Sequence, residues 1–243
     1  ITNHDLDTDA FTNANPNTND DSDTDTRAET ALNLAATMGL LHAQGNAVGD
    51  LNHDNVLVSG THVTLIDCDG FHVSGPTEEY PSTTYYPRYS PPAGRDPDQP
   101  IRQTAYSDRF GLAVHVFQLL MEGVHPFSAV GDAASGGTDG TRIADNRFPY
   151  HDPDPGTLEP PPYAPEYDAL PADVRDLFQQ CFVYGKTRPR HRPSPRDWMD
   201  ALSDMCDVET GVESNDPAER RERRRQRRRA TVNTDGGSPT GTR

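Results

Sequence analysis

Lysine is nearly missing from this chain of 243 residues: among 22 basic side chains only Lys186 is a lysine. Cysteine occurs three times, at Cys68, Cys181 and Cys206. An odd count without a C-x-x-C pair argues against both a disulfide framework and a zinc ribbon. No apolar run reaches the ~18–20 residues of a membrane span, which excludes an integral membrane protein. No basic stretch followed by an apolar one opens the chain, so no signal peptide is read and a cytoplasmic location is expected. The first residue is Ile1 rather than Met, the mark of an unusual start or of a piece of a longer chain. Hydrophobic residues make up 33% and mean hydropathy is −0.82, so part of the chain is expected to stay unpacked.

Acid is what the chain has in excess, with 38 Asp and Glu giving a formal charge of −16. Dense carboxylate without lysine is the surface of a protein solvated for high salt, a halophilic composition. The charge is uneven. Nine arginines and four acids over 216–243 make that end net positive at +5, which leaves −21 on 1–215. Three regions follow: an acidic disordered segment over 1–26, a foldable unit over 27–206 and an Arg-rich disordered tail over 207–243. The run RRERRRQRRR is only a weak pointer to nucleic acid, because a solvated tail has the same composition.

Within the foldable unit, Ala31, Leu32, Leu34, Ala35, Met38, Leu41 and His42 recur at helical spacing over 27–44, and Gly45 supplies a stop. Val56-Leu57-Val58 and His62–Ile66 flank a Ser59-Gly60 turn and read as a short hairpin. Residues 74–104 carry seven prolines and no periodicity, a long loop. An apolar helix is expected from Ser107 through FGLAVHVFQLLM to Gly123, a short helix near 141–146, and amphipathic helices over 171–183 and 194–206. Trp198, Phe178 and Phe182 fall on core faces. The expected class is α+β, mainly α.

Chemistry concentrates between the first helix and the hairpin, in Gly49-Asp50-Leu51-Asn52-His53-Asp54-Asn55-Val56. The spacing Asp-Leu-x-x-x-Asn is that of the protein-kinase catalytic loop. There the Asp accepts the proton of the attacking hydroxyl and the Asn five residues on holds Mg²⁺. Asp67, twelve residues after Asn55 and directly after an apolar strand, is placed as a second oxygen ligand for a hard cation. Asp50-x-Asn52-x-Asp54 also matches the first ligands of an EF-hand. That reading fails because Asn55 stands where the loop needs Gly and Thr61 where it needs the bidentate Glu. Taken singly, Asp50 and Asn55 are also ordinary turn and cap residues. Asp108 is equally an N-cap, and Leu57 serves as core residue or apolar floor. Cys68 is expected to pack.

Over 27–206 the chain resembles the C-terminal lobe of protein-kinase-like proteins, in particular prokaryotic Ser/Thr-kinase-like proteins with a Gly-Asp-Leu-Asn catalytic loop. LLHAQGNAVGDLNHDN resembles the passage into the catalytic loop and TLIDCDGF the metal-binding segment. YYPRYSPPAGRD resembles the loop ending near Ala-Pro-Glu, and Ser107–Ala113 the helix whose Asp, here Asp108, braces the catalytic loop. Arg192-Pro193-Ser194 resembles the Arg-Pro-Ser before the last helix. The resemblance implies ATP-dependent phosphoryl transfer to Ser or Thr hydroxyls of a protein substrate. It gives Asp50 and Asn52 catalytic roles, Asn55, Leu57 and Asp67 contact with ATP, and Asn55 and Asp67 the Mg²⁺.

Departures from the pattern carry equal weight. Val48-Gly49 replaces His-Arg, which removes the partner of an activation-loop phosphate on Ser82, Thr83, Thr84, Tyr85 or Tyr86. Asn52 replaces a phosphate-contacting Lys. Cys68-Asp69 replaces Phe-Gly, which leaves Asp69 as an alternative metal ligand to Asp67. Ala93 stands where a Glu would pair with Arg192. A kinase also needs a Gly-rich loop and a strand Lys before the catalytic loop, and 1–26 holds neither. Two expectations result: a kinase completed by upstream residues or by a separate chain supplying the N-lobe, or a truncated or degenerate pseudokinase acting as a binding or scaffold module.

Overall fold

In the structure, a computed structural model that describes residues 21–75, 77–84, 86–92, 103–135, 137–151, 157–186 and 188–206, the first helix α1 spans Asp21–Ala43. It starts six residues before the boundary read from composition. Ala28, Ala31, Leu34, Ala35 and Met38 form its buried stripe at helical spacing. Gly45 stops it at φ +79°, its N–H donating to the His42 carbonyl. The segment 1–20 and the Arg-rich stretch 207–243 lie outside the described residues, as do Tyr85 and Ala93.

Strands β1 (Val56–Ser59) and β2 (His62–Leu65) pair antiparallel, Val56 opposite Leu65 and Ser59 opposite His62. The turn is Gly60-Thr61, one residue later than expected, because Ser59 joins the ladder. A second pair, β3 (Val73–Ser74) with β4 (Glu79–Tyr80), lies in the stretch expected to be loop. Helix α2 (Ala105–Leu120) begins before Ser107 because Thr104 caps it: the Thr104 hydroxyl accepts the Ser107 N–H and the Ser107 hydroxyl accepts the Thr104 N–H. Helices α3 (Asp139–Asp145), α4 (Ala172–Gln179) and α5 (Pro195–Cys206) complete the unit, and one π-helical turn over Gln180–Tyr184 extends α4.

Helix α2 is buried on all sides from Phe110 to Leu119, which makes it the axis of the core. Helix α1 packs against it and against α5, and Trp198 of α5 stands 5.0 Å from the Phe178 ring. Phe117, Phe127, Phe148 and Phe182 join in edge-on and tilted contacts. Each such fully buried ring contributes roughly 1.5–3 kcal/mol. The result is a mixed architecture, mainly helical with two small ladders among the described residues.

Candidate active site

The loop 47–55 has no regular ladder of its own, so its backbone polar groups must be satisfied from outside. Ala47 exchanges two hydrogen bonds with His72, at 2.9 and 2.8 Å. The next two N–H groups go to one carboxylate. Val48 donates to Asp108 Oδ2 at 2.7 Å and Gly49 to Asp108 Oδ1 at 2.9 Å. His42 Nε2 donates to the same Oδ2 at 2.9 Å. Asp108 is thus four residues past the N-cap of α2, and its carboxylate braces the loop instead of capping the helix.

The loop then closes on itself. Asp50 N–H donates to the Val48 carbonyl, Asn52 N–H to the Asp50 carbonyl, and Asn55 Nδ2 to the Asp50 carbonyl at 3.0 Å. The Asn52 carboxamide oxygen accepts the Asp54 N–H at 2.8 Å, and Asn52 is buried at 5% exposure. His115, fully buried on α2, donates Nε2–H to the Leu51 carbonyl at 3.2 Å. Burial pushes the His115 pKa down to about 3, although that hydrogen bond works the other way. The imidazole is therefore a neutral donor across the physiological range.

Asp50 faces a narrow cleft lined by Tyr86, Tyr89, Ser90 and Gln103, and its Oδ1 is buried without a hydrogen bond among the described residues. Gly49 has φ +78°, and a Cβ added there would lie 2.1 Å from the Ser82 hydroxyl oxygen. Only glycine lets the 80s segment lie this close to the loop. The Asn55 carbonyl accepts the Ile66 N–H at 3.0 Å, so the loop's Asn and the end of β2 are stitched together just before Asp67.

Asp67 occupies the left-handed region at φ 59°, ψ 54°, with no cap hydrogen bond from its side chain. Asp69 follows in the turn Cys68–Gly70, and both carboxylates are exposed. That turn backs onto the base candidate, because a Cβ added at Gly70 would lie 3.6 Å from Asp50 Cβ. Cys68 is exposed rather than packed, since the turn carries it outward from the strand end. Leu57 is 51% exposed on β1, so it belongs to an open apolar face and not to the core.

The donor set fits a hard cation. With its Nδ2 committed to the Asp50 carbonyl, Asn55 has its amide oxygen left for a ligand, and Asp67 offers a carboxylate. Among the described residues no three His, Cys, Asp or Glu side chains gather into a protein-only metal cage. A cation held here by two protein ligands would need phosphate oxygens and water to complete its shell.

Sequence reading missed the histidines of this site. His42 and His115 carry no metal-ligand spacing in the sequence, yet one bonds the Asp108 carboxylate and the other the Leu51 carbonyl. A signal was present in His115, a polar residue inside the run FGLAVHVFQLLM, since a polar group on a fully buried helix needs a partner.

The chain is similar in sequence to curated protein kinases. It is 32% identical over 177 residues to protein kinase YegI of Escherichia coli O157:H7, a match taking in 71% of this chain and 27% of that protein. Protein kinase YegI of Escherichia coli strain K12 is 30% identical over 180 residues, 72% of this chain and 28% of the relative. The chain therefore spans a little over a quarter of the length of the curated relatives it matches. No protein-family model matches the sequence. No helix among the described residues is long and apolar enough to cross a membrane.

Proposed function

We propose that 27–206 forms the C-terminal lobe of a protein-kinase domain and takes part in ATP-dependent phosphoryl transfer to Ser or Thr hydroxyls of a protein. The observation that carries this reading is the brace: one buried carboxylate, Asp108, takes two successive loop N–H groups and so presents Asp50 to a cleft. Asp50 is the group that accepts the acceptor hydroxyl's proton at its carboxylate. Asn55 and Asp67 hold Mg²⁺, which with ATP supplies the phosphoryl group and neutralises charge developing on it. Asp67 is preferred over Asp69 because its left-handed backbone is the strained position of the turn, and strain gathers where a side chain must be aimed. Asn52 shapes the loop through its cap on Asp54 and is not assigned a phosphate contact. Leu57, exposed on β1, is the apolar floor for adenine. The site also requires a Gly-rich loop and a strand Lys, supplied by residues upstream of Ile1 or by a separate chain.

Thermal shift of the 243-residue chain with Mg²⁺ and ATP tests the nucleotide site, and loss of the shift in Asp67→Ala tests the ligand assignment. In a form completed by its N-lobe, Asp50→Asn is expected to lower phosphoryl transfer by at least ~10²-fold while nucleotide binding persists. A second reading, a pseudokinase scaffold, draws on one observation: the only lysine of this chain, Lys186, lies between α4 and α5, far along the chain from the catalytic loop. No nucleotide binding by the completed form would leave that reading standing alone.

A further inference from the structure

The resemblance to protein kinases implies a Glu paired with Arg192, and Ala93 stands in its place. Arg192 is accordingly built into backbone: its Nε donates to the Gly185 carbonyl at 3.0 Å and its Nη1 to the Tyr106 carbonyl at 2.7 Å. A different hub sits under residues 86–91. Arg88 Nη2 lies 3.0 Å from Asp139 Oδ2. The other Asp139 oxygen accepts from Arg142 Nη2 at 2.8 Å and from the Ser128 hydroxyl at 3.2 Å. Burial alone would push the Asp139 carboxyl up, but the Arg88 and Arg142 guanidinium groups hold it below the usual carboxylate range.

His125 ties the same segment by its backbone. Its Nδ1 accepts the Phe127 N–H at 3.2 Å, so the hydrogen sits on Nε2, which donates to the Arg88 carbonyl at 2.9 Å. Its 3.5 Å approach to Asp139 is therefore a contact of a neutral ring and not an ion pair. Tyr89, next along, stacks on His115 at 4.8 Å and on His53 at 5.7 Å. Those two histidines belong to the helix under the catalytic loop and to the loop itself. Tyr89 and Ser90 in turn line the cleft of Asp50.

We propose that Asp139, through Arg88, is the anchor that sets the wall of the Asp50 cleft, and that Arg88 and Asp139 are positioning residues for the phosphoacceptor. The acceptor role rests on the kinase reading; the anchor does not. Its logic is geometric. Arg88 is fixed at both ends, side chain on Asp139 and carbonyl on His125, so Tyr89 is held flat between two imidazoles instead of swinging into the cleft. Sharing Asp139 with Arg142 ties the segment to α3 rather than to α5.

Amide exchange of Tyr89, whose N–H donates to the Tyr86 carbonyl at 3.0 Å, reads the anchor in the 243-residue chain. Arg88→Met and Asp139→Asn are each expected to speed it about fivefold, the double variant no more than the single ones, and Arg88→Lys to restore most of the protection. Because Asp139→Asn also strips Arg142, Arg88→Met is the variant that decides. Unchanged exchange in Arg88→Met overturns the anchor, as does full additivity in the double variant. In the completed kinase, Arg88→Met is expected to raise KM for the protein acceptor severalfold with KM for ATP unchanged, and equal effects on both overturn the positioning role. Faster Tyr89 exchange in a completed protein that transfers no phosphate upholds the anchor and overturns the kinase reading.

Discussion

Lowering the pH should strip stability from this protein through two histidines, and His115 allows the effect to be isolated. Its side chain has no solvent exposure, and burial pushes its pKa from the ordinary 6.5 down to about 3. The unfolded chain therefore binds a proton that the fold refuses. The stabilisation is complete above pH 6.5 and is lost as pH falls toward 3, at up to about 1.4 kcal/mol per pH unit. At pH 5 the loss from His115 is roughly 2 kcal/mol. His125, pushed down to about 4 by burial, adds a similar amount over a slightly shorter range. Together they cost about 4 kcal/mol, comparable to the whole stability of a marginal domain. The acidic body relaxes its own repulsion over the same interval, so the informative quantity is a difference between variants. Urea unfolding at pH 7.5, 6 and 5 should show His115→Gln losing about 2 kcal/mol less than wild type between pH 7.5 and pH 5, since the amide still offers the Leu51 carbonyl a donor but does not titrate. His115→Leu should share this shallower slope and in addition lose about 1–3 kcal/mol at pH 7.5, the cost of a buried carbonyl left unbonded. Equal slopes in all three proteins would refute the burial argument.

Asp108→Ala leaves the Val48 and Gly49 N–H groups without their acceptor, and chemical denaturation should find it destabilised by about 3 kcal/mol, with the largest gain in amide exchange at those two residues. Gly49→Ala must displace Ser82 and adopt φ +78° with a side chain, so a loss of about 1–3 kcal/mol is expected, and Ser82→Gly in the same chain should recover part of it by removing the clashing hydroxyl. Trp198→Ala removes a fully buried ring from the contact of α5 with Phe178 of α4 and should lower stability by about 3–5 kcal/mol in the same assay, without altering the environment of Asp50 in an NMR comparison.

Where one element or one short spacing carried the signal, the sequence was informative. Helix α2 was legible because its apolar residues leave no polar face, and the Asp50–Asn55 spacing survives because Asn55 must turn back to the Asp50 carbonyl. The hairpin was read to within a residue. The start of α1 was not, because Asp21–Thr26 has turn-like composition and no apolar period, while Ala28 and Ala31 bury the face that continues from it. Thr104 escaped notice because its capping partner is Ser107, a weaker signature than the usual Glu or Gln. The Arg88–Asp139 hub joins residues fifty-one positions apart, and no local pattern encodes such a pair. Cys68 was misjudged because a thiol next to an apolar strand usually packs, whereas here the left-handed Asp67 turns the chain outward.

A helix that is buried on every side has no energetic reason to hold an aspartate and a histidine, yet α2 holds Asp108 and His115. They stand seven residues apart, two turns, hence on one face and separated by about 10.5 Å along the axis. Gly111 lies between them on that face, and a Cβ there would come within 3.4 Å of Leu51 Cβ and 3.3 Å of the Tyr89 carbonyl oxygen. The three residues form a template for the loop: an acceptor for its first N–H groups, a gap that admits Leu51, and a donor for the Leu51 carbonyl. The order of polarity along α2 matches the order of backbone groups along 48–51, so the core helix fixes the register of Asp50. Gly111→Ala tests this directly. It improves helix propensity by about 1 kcal/mol but must lift the loop by a few tenths of an ångström. The expected outcome is a chain of nearly unchanged melting temperature in which the Leu51 and Asn52 amides exchange faster. Wild-type exchange at both residues would mean that the loop does not take its register from α2.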